Sequence, residues 1–153
     1  MKFPTVSGSN LQRNKVTLPH EFQGELNLVL IAFQQWQQRQ VDTWIPFARQ
    51  LEKDHPAVRY YELPTIQRLN ALARTFINEG MRAGIPDPLA RERTITLYLD
   101  KPAFRQALQL PGEEDISVLL LDRQGQVLWR REGAFTPEKG ESLAAVVQAG
   151  KHE

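Results

Sequence analysis

The segment with the clearest pattern in this chain, residues 117–138, reads S-V-L-L-L-D-R-Q-G-Q-V-L-W-R-R-E-G-A-F-T-P-E. Two runs of β-forming residues, Ser117 to Asp122 and Gln126 to Arg131, flank the turn residues Arg123-Gln124-Gly125, which is typical of a β-hairpin. Thr136-Pro137 has the composition of a helix N-cap followed by proline in the first turn. We therefore predict a hairpin that leads into a final helix, with its apolar side at Leu143, Ala144, Val146 and Val147.

Upstream of the hairpin, predicted strands alternate with predicted helices. The strands are Leu26 to Phe33, Val58 to Leu63 and Thr94 to Leu99. The first of them is nearly continuous in apolar residues, as parallel strands covered on both faces are. Between and after these strands, apolar residues at helical spacing predict three helices. These are Val41 to Leu51, Pro64 to Gly80 with a loop from Gly84 to Pro88, and Pro102 to Leu110. Pro46 lies inside the first helix, where we expect a kink because proline removes a backbone donor.

The resulting order, β-α-β-α-β-α-β-β-α, predicts an α/β fold. Strands separated by helices need parallel crossovers, and the closing hairpin adds antiparallel strands, so the expected sheet is mixed and lies between two layers of helices. The chain has 153 residues, which is enough for one domain with a substantial core. We expect a single domain over residues 1–153, preceded within it by an irregular or hairpin-like lead-in over residues 1–24, where turn formers are frequent.

Composition excludes several classes of function. Hydrophobic residues make up 41% of the chain and charged residues 24%, which is ordinary for a globular protein. The net charge is +1 and acids alternate with bases, so we expect no nucleic-acid partner. No apolar run is long enough to cross a bilayer, and the N-terminus lacks the apolar core of a secretory signal. We expect no transmembrane segment and a cytoplasmic location.

The chain contains no cysteine. Thiol–disulfide exchange and cysteine peroxidase chemistry both need a thiolate, and so both activities are excluded. The three histidines, His20, His55 and His152, are far apart in the sequence and do not have metal-ligand spacing. We therefore expect no catalytic residue of these kinds, no metal site and no cofactor.

Two segments resemble the thioredoxin-like superfamily, in particular its peroxiredoxin and redoxin branch. The first, residues 32–46, reads A-F-Q-Q-W-Q-Q-R-Q-V-D-T-W-I-P, and the second is the closing hairpin-to-helix segment. In redoxins the first segment carries a Cys-x-x-Cys, with a proline five residues on. In this chain Gln38 and Val41 stand at the two cysteine positions, Pro46 matches the proline, and Ile116 replaces the family's cis-proline. The resemblance implies a three-layer thioredoxin-like fold that has lost both halves of its redox site.

A narrower resemblance is to the mitochondrial ATP synthase assembly-factor family. It is carried by W-R-R-E-G at residues 129–133 and T-W-I-P-F at residues 43–47. This resemblance implies a non-catalytic protein that binds another chain during the assembly of a complex.

The leading hypothesis is thus a redox-inactive protein-binding or assembly module. Its predicted surface is the degenerate active-site loop, formed by Trp36, Gln38, Gln40, Val41, Asp42 and Ile116. An aromatic side chain among amides suits contacts with a protein, although Trp36 could also simply cover the end of the sheet. The alternatives are an enzyme of the redoxin type by homology without thiol chemistry, or a hydrolase or transferase that uses Asp42 or Glu62. The identity of the protein partner and the oligomeric state are not predicted.

Three other features have competing interpretations. Trp44 is expected in the core because it lies on the apolar side of its helix. Asp122 is expected to cap the turn of the hairpin rather than to act in catalysis. The acidic run Glu113-Glu114-Asp115 is expected in a solvated loop, with cation binding as the alternative.

Overall fold

A computed structural model describes residues 1–68 and 88–150. Its seven strands are β1 (Val6–Asn10), β2 (Lys15–Leu18), β3 (Leu26–Ala32), β4 (Val58–Gln67), β5 (Ile95–Leu99), β6 (Ser117–Asp122) and β7 (Val127–Glu132). The α-helices of the described residues are α1 (Gln38–Asp54), α2 (Pro88–Arg93), α3 (Lys101–Leu108) and α4 (Pro137–Gly150). A 3₁₀ turn, Gln35–Gln37, precedes α1.

The strands form one mixed sheet in the order β2-β1-β5-β4-β3-β6-β7. β3, β4 and β5 run parallel to one another, whereas β6 pairs antiparallel with both β3 and β7. The predicted closing hairpin is confirmed, with Ser117 opposite Glu132 and Leu120 opposite Trp129. The mixed sheet inferred from the order of elements is therefore confirmed as well.

Alternate residues of β3 explain its continuous apolar run. Leu28 and Leu30 pack on the face that carries α1 and α4, in one core cluster with Trp44. Val29 and Ile31 point to the other face and share a second cluster with Phe104 of α3. Helices thus cover both faces of the sheet, which confirms the three-layer α/β architecture.

The lead-in contains a β-hairpin, the second of the two forms expected for it. β1 and β2 pair antiparallel, and β1 also pairs antiparallel with β5, which joins the hairpin to the main sheet. Gly8 of β1 has to be glycine because an added Cβ would come within 2.7 Å of the Thr96 carbonyl oxygen on β5.

The predicted start of a helix at Pro64 is wrong. β4 continues to Gln67, since Thr65 and Ile66 pair with Leu97 and Tyr98 of β5. The remainder of that predicted helix, up to Gly80, and most of the predicted loop from Gly84 to Pro88 lie outside the described residues; Pro88 itself begins α2. Pro46 lies on the exposed side of α1, which continues to Asp54.

Over the described ranges, none of the helices has the combination of length and apolar character that a membrane-spanning helix needs.

Candidate functional site

The junction between β3 and α1 carries the two positions that the resemblance assigned to cysteines. β3 ends at Ala32, the 3₁₀ turn follows, and α1 begins at Gln38, so that Gln38 and Val41 both lie in the first turn of the helix. Val41 is buried beneath this junction, whereas Gln38 is exposed. The strand-to-helix geometry of a thioredoxin-like site is thus present, but no sulfur stands at either position.

Gln40 links the first turn of α1 to the residues just before β6. Its Oε1 accepts a hydrogen bond from the backbone N–H of Ile116 at 2.9 Å, and its Nε2 donates to Asp115 Oδ1 at 2.7 Å. Ile116 is fully buried in the same core cluster as Val41. The structure therefore places Val41, at the second cysteine position, in one packed cluster with Ile116, at the cis-proline position, and Gln38 in the same turn of α1 as Val41.

Gln37 is the buried centre of the loop, with no exposed surface. Its Oε1 accepts from the backbone N–H groups of Phe33 at 2.8 Å and Gln34 at 3.2 Å. Its Nε2 donates to the carbonyl oxygen of Glu113 at 2.6 Å. One side chain thus satisfies three backbone groups that the irregular chain around it would otherwise leave without partners.

Trp36 immediately precedes the buried Gln37. It belongs to the segment that we call the Trp36 turn, residues 34–37, and 54% of its surface is exposed. Asp42 and Gln38 are also exposed, and Gln40 is half-buried. Of the six residues predicted for the binding surface, these four are accessible to a partner, while Val41 and Ile116 form the packed base below them.

The acidic segment before β6 is only partly a solvated loop. Glu113 is held in ion pairs with Lys101 and Arg105 of α3, and Asp115 accepts from Gln40. Glu114 and Asp115 are both exposed. Over residues 1–68 and 88–150, no group of three or more histidine, aspartate or glutamate side chains is placed to hold a metal ion.

Two carboxylates converge on the amide of Gln38. Its Nε2 donates to Asp42 Oδ1 at 2.9 Å and to Glu62 Oε1 at 3.2 Å, and the Thr94 hydroxyl lies 3.4 Å from Glu62 Oε2. Burial raises the pKa of Glu62 above its ordinary value; the Gln38 hydrogen bond opposes this shift and the charge of Asp42 adds to it. A raised carboxyl pKa is a property of general acids, but here the Gln38 amide occupies the space between the two carboxylates where a substrate atom would have to sit.

The two short motifs that resemble the assembly-factor family pack against each other. Trp44 is fully buried, as expected, and its Nε1 donates to the carbonyl oxygen of Gly133 at 3.0 Å. Its ring makes edge contacts with Trp129 and Phe135, with centroids 6.2 and 5.2 Å away. Phe47 completes the cluster against Phe135. The motifs therefore join α1 to β7 and to the segment between β7 and α4.

The remaining candidate residues have structural roles or lie elsewhere. Asp122 caps its turn as expected, with Oδ1 accepting from the N–H groups of Gln124 and Gln126. His55 is the C-cap residue that follows α1, and His152 lies outside the described residues. A shallow cavity of about 320 Å³ does not include Asp42 or Glu62. It is lined by Gln23, Gly24, Glu25, Pro56, Ala57 and Arg59.

Reasoning from the sequence missed Gln37 and Glu113. The glutamine-rich run from Gln34 to Gln40 was visible, but nothing in a local pattern distinguishes the buried amide from the exposed ones. Glu113 was seen only as one member of an acidic run, because its cationic partners lie 8 and 12 positions away along the chain, on a helix.

Solved structures of redox proteins share this fold at low sequence identity. BsSco, a member of the Sco family of cytochrome c oxidase assembly proteins, aligns with a TM-score of 0.63 at 11% identity, over 96% of this chain and 94% of its own. The thioredoxin domain of a thiol-disulfide oxidoreductase from Bacteroides vulgatus aligns with a TM-score of 0.59 at 14% identity, over 96% of each chain. The pneumococcal exposed lipoprotein thioredoxin from Streptococcus pneumoniae aligns with a TM-score of 0.59 at 9% identity, over 95% of this chain and 99% of its own. These likenesses establish the thioredoxin-like fold.

No curated protein matches the sequence significantly. The sequence model of one family, described as ATP10 protein, matches residues 1–149, which is nearly the whole chain. The narrower resemblance carried by the two packed motifs is therefore confirmed, and the chain belongs to the ATP10 protein family.

Proposed function

We propose that this chain is a redox-inactive thioredoxin-like protein that binds another protein during the assembly of a complex, through the accessible surface of Trp36, Gln38, Gln40 and Asp42. The observation that carries the proposal is the exposed indole of Trp36, presented on a hydrogen-bonded turn at the end of the sheet where redox relatives hold their cysteines. Membership of the ATP10 protein family, together with the resemblance of the two packed motifs to ATP synthase assembly factors, supports the same conclusion.

Trp36 has the properties of an interface anchor. A tryptophan that is 54% exposed leaves a large apolar area in water, and burying such an area against a partner is favourable. Tryptophan is also among the residues that most often dominate binding energy at protein interfaces. If the indole merely covered the sheet end, it would be expected to lie against the strands instead of standing in solvent.

The turn that carries Trp36 is organised before any partner arrives. The Gln37 side chain and the Gln34 carbonyl close the turn, the latter through the Gln37 N–H at 3.0 Å. An ordered binding loop loses less conformational entropy when it associates, which favours affinity. The amides of Gln38 and Gln40 and the carboxylate of Asp42 are engaged within the chain, so they support the surface and leave recognition chiefly to Trp36.

The proposal is tested by quantitative co-purification with the tagged chain at native abundance. ATP synthase subunits are the first proteins to probe for, because the two packed motifs resemble those of ATP synthase assembly factors. We expect Trp36→Ala to lower the recovery of the partner by about tenfold or more, as the loss of an interface hot spot does.

The matched control is Leu128→Ala, which removes another exposed apolar side chain, 45% exposed and on the edge strand β7. We expect Leu128→Ala to recover the partner at the wild-type level. Equal recovery with wild type and Trp36→Ala, in chains that melt at the same temperature, would remove this surface as the binding site.

A further inference from the structure

We propose that Glu113 is a positioning residue that fixes the Trp36 turn. Its backbone carbonyl binds the turn, and its carboxylate binds two cations of α3. Its significance for partner binding rests on the proposed function, whereas its effect on the turn does not.

Glu113 makes an unusual number of contacts for one residue. Its Oε1 lies 2.7 Å from Lys101 Nζ and accepts from Gln34 Nε2 at 3.2 Å. Its Oε2 lies 2.9 Å from Arg105 Nε. Its backbone carbonyl accepts the Gln37 amide. The carboxylate thus forms two ion pairs and one hydrogen bond, while the backbone carbonyl of the same residue accepts a second hydrogen bond.

These contacts reach both sides of Trp36. Gln34 precedes the indole by two positions and Gln37 follows it by one, and both side chains end on Glu113. Lys101 adds a third connection, because its Nζ also donates to the Phe33 carbonyl at 3.1 Å. The turn is therefore tied to α3 and to the segment before β6 as well as to its own helix.

The ion pairs of Glu113 are partly shielded from solvent. The side chains of Glu113, Lys101 and Arg105 are 20%, 15% and 27% exposed, so water screens the charges less than it does on an open surface. Without the Glu113 carboxylate, two cations would face each other across a half-buried space. Lys101 would then lose part of the order that directs it to the Phe33 carbonyl.

The test is amide hydrogen exchange of the isolated chain, compared between Glu113→Gln and Glu114→Gln. Glu113→Gln keeps the size of the side chain but removes the charge that both cations need. The control changes the neighbouring exposed acid in the same way. We expect the amides of Phe33, Gln34 and Gln37 to exchange about tenfold or more faster in Glu113→Gln, as the loss of charge-assisted hydrogen bonds predicts, with β3 and α4 unchanged.

Fluorine NMR of the chain labelled with 5-fluorotryptophan gives a second readout. The chain has three tryptophans, and Trp36→Phe identifies the signal of the exposed one by its loss. In Glu113→Gln we expect that signal to move toward the shift of free fluorotryptophan, while the signals of Trp44 and Trp129 stay in place. If Glu113 acted only on the stability of the core, the signals of Trp44 and Trp129 would move instead.

Unchanged exchange at residues 33–37 and an unmoved Trp36 signal in Glu113→Gln would overturn the positioning role. This outcome is independent of partner recovery, because both measurements use the chain alone. Conversely, a failure of Trp36→Ala to affect recovery would overturn the proposed function and leave the role of Glu113 intact.

Discussion

Glutamine suits the junction between β3 and α1 because its amide donates and accepts hydrogen bonds at the same time. Gln37 and Gln40 each use both capacities, the first toward Phe33 and Glu113 and the second toward Ile116 and Asp115. A pair of cysteines would change its bonding with the redox conditions, whereas these amide hydrogen bonds do not. The hydrogen bonds of Gln37 and Gln40 therefore hold the junction in one shape that is independent of redox conditions.

Glu62 gives the stability of the protein a predictable dependence on pH. Its pKa is raised from 4.5 in the folded chain, mainly by burial, so the folded state holds this proton to higher pH than the unfolded state does. The stability that Glu62 contributes is complete below the unfolded pKa and is lost as pH rises through the folded pKa. We expect Glu62→Gln, which cannot ionise, to lose less stability than wild type between pH 4 and pH 7, as measured by urea unfolding.

Asp42→Asn provides the comparison for Glu62. It removes the neighbouring charge that adds to the Glu62 shift, so its unfolding curve should depend on pH less steeply than that of wild type but more steeply than that of Glu62→Gln. Parallel pH profiles for wild type and Glu62→Gln would show that Glu62 titrates alike in the folded and unfolded chains.

At the level of single residues, local sequence patterns predicted where a side chain lies better than they predicted its hydrogen-bond partners. Trp44 was placed in the core and Asp122 at its turn because helical spacing and turn chemistry are local properties. The buried state of Gln37 depends on the carbonyl of Glu113, 76 positions later in the chain. Such a contact exists only once the sheet has formed, and so no window of sequence contains it.

Among the elements, α1 and α4 are joined by aromatic packing that leaves no room at Gly140. A Cβ at this position would come within 2.8 Å of Phe135 Cε2 and 3.2 Å of Phe47 Cε1. Alanine normally stabilises a helix relative to glycine by about 1 kcal/mol. Here we expect Gly140→Ala to destabilise the protein by about 1–3 kcal/mol instead, because the two rings have to shift. Urea unfolding measures the difference.

Glu141→Ala is the control in the same helix. Its side chain is exposed, so the change tests helix propensity without crowding. We expect its unfolding midpoint to equal or slightly exceed that of wild type. A stabilising effect of Gly140→Ala similar to that of Glu141→Ala would mean that the aromatic cluster adapts without cost.

The elements themselves were largely predictable, and the error has a clear cause. Strands β3, β5, β6 and β7 and helices α1, α3 and α4 were expected close to their observed bounds, since each has a strong apolar period. β4 runs past Pro64 because its last three residues pair with β5, a contact set by the order of strands in the sheet. Proline at the first helical position was a reasonable local signal, but tertiary pairing decided the outcome.

In the molecule as a whole, backbone groups of both edge strands are hydrogen-bonded to residues outside the sheet ladder. On β7, Arg131 donates to the Arg130 carbonyl and Lys139 to the Glu132 carbonyl. On β2, the Thr17 N–H and carbonyl are both bound to Glu21. Charged groups at such positions hinder the addition of another strand. This arrangement favours recognition through the loop end of the sheet over recognition through its edges.

A thioredoxin-like scaffold without cysteine should show no thiol-based redox activity. In a peroxide-consumption assay with a thiol reductant, we expect the wild-type chain to give the rate of the buffer, because no thiolate is available to be oxidised. The positive control is the double variant Gln38→Cys and Val41→Cys. Its two Cα atoms, three residues apart on a helix, are separated by about 5 Å, which lies within the range of disulfides.

Because position 41 is buried, we expect a thiol reagent to titrate two groups only after the reduced double variant is unfolded, and none in wild type. Oxidation before unfolding should abolish the signal. Because the cysteines would stand in the first turn of α1, where the helix dipole favours a thiolate, the variant should also react faster than a free thiol at neutral pH. Peroxide turnover by the wild-type chain above the buffer rate would require another electron-carrying group on this scaffold. The redox-inactive assignment, and with it the reason for seeking a binding role at Trp36, would then be wrong.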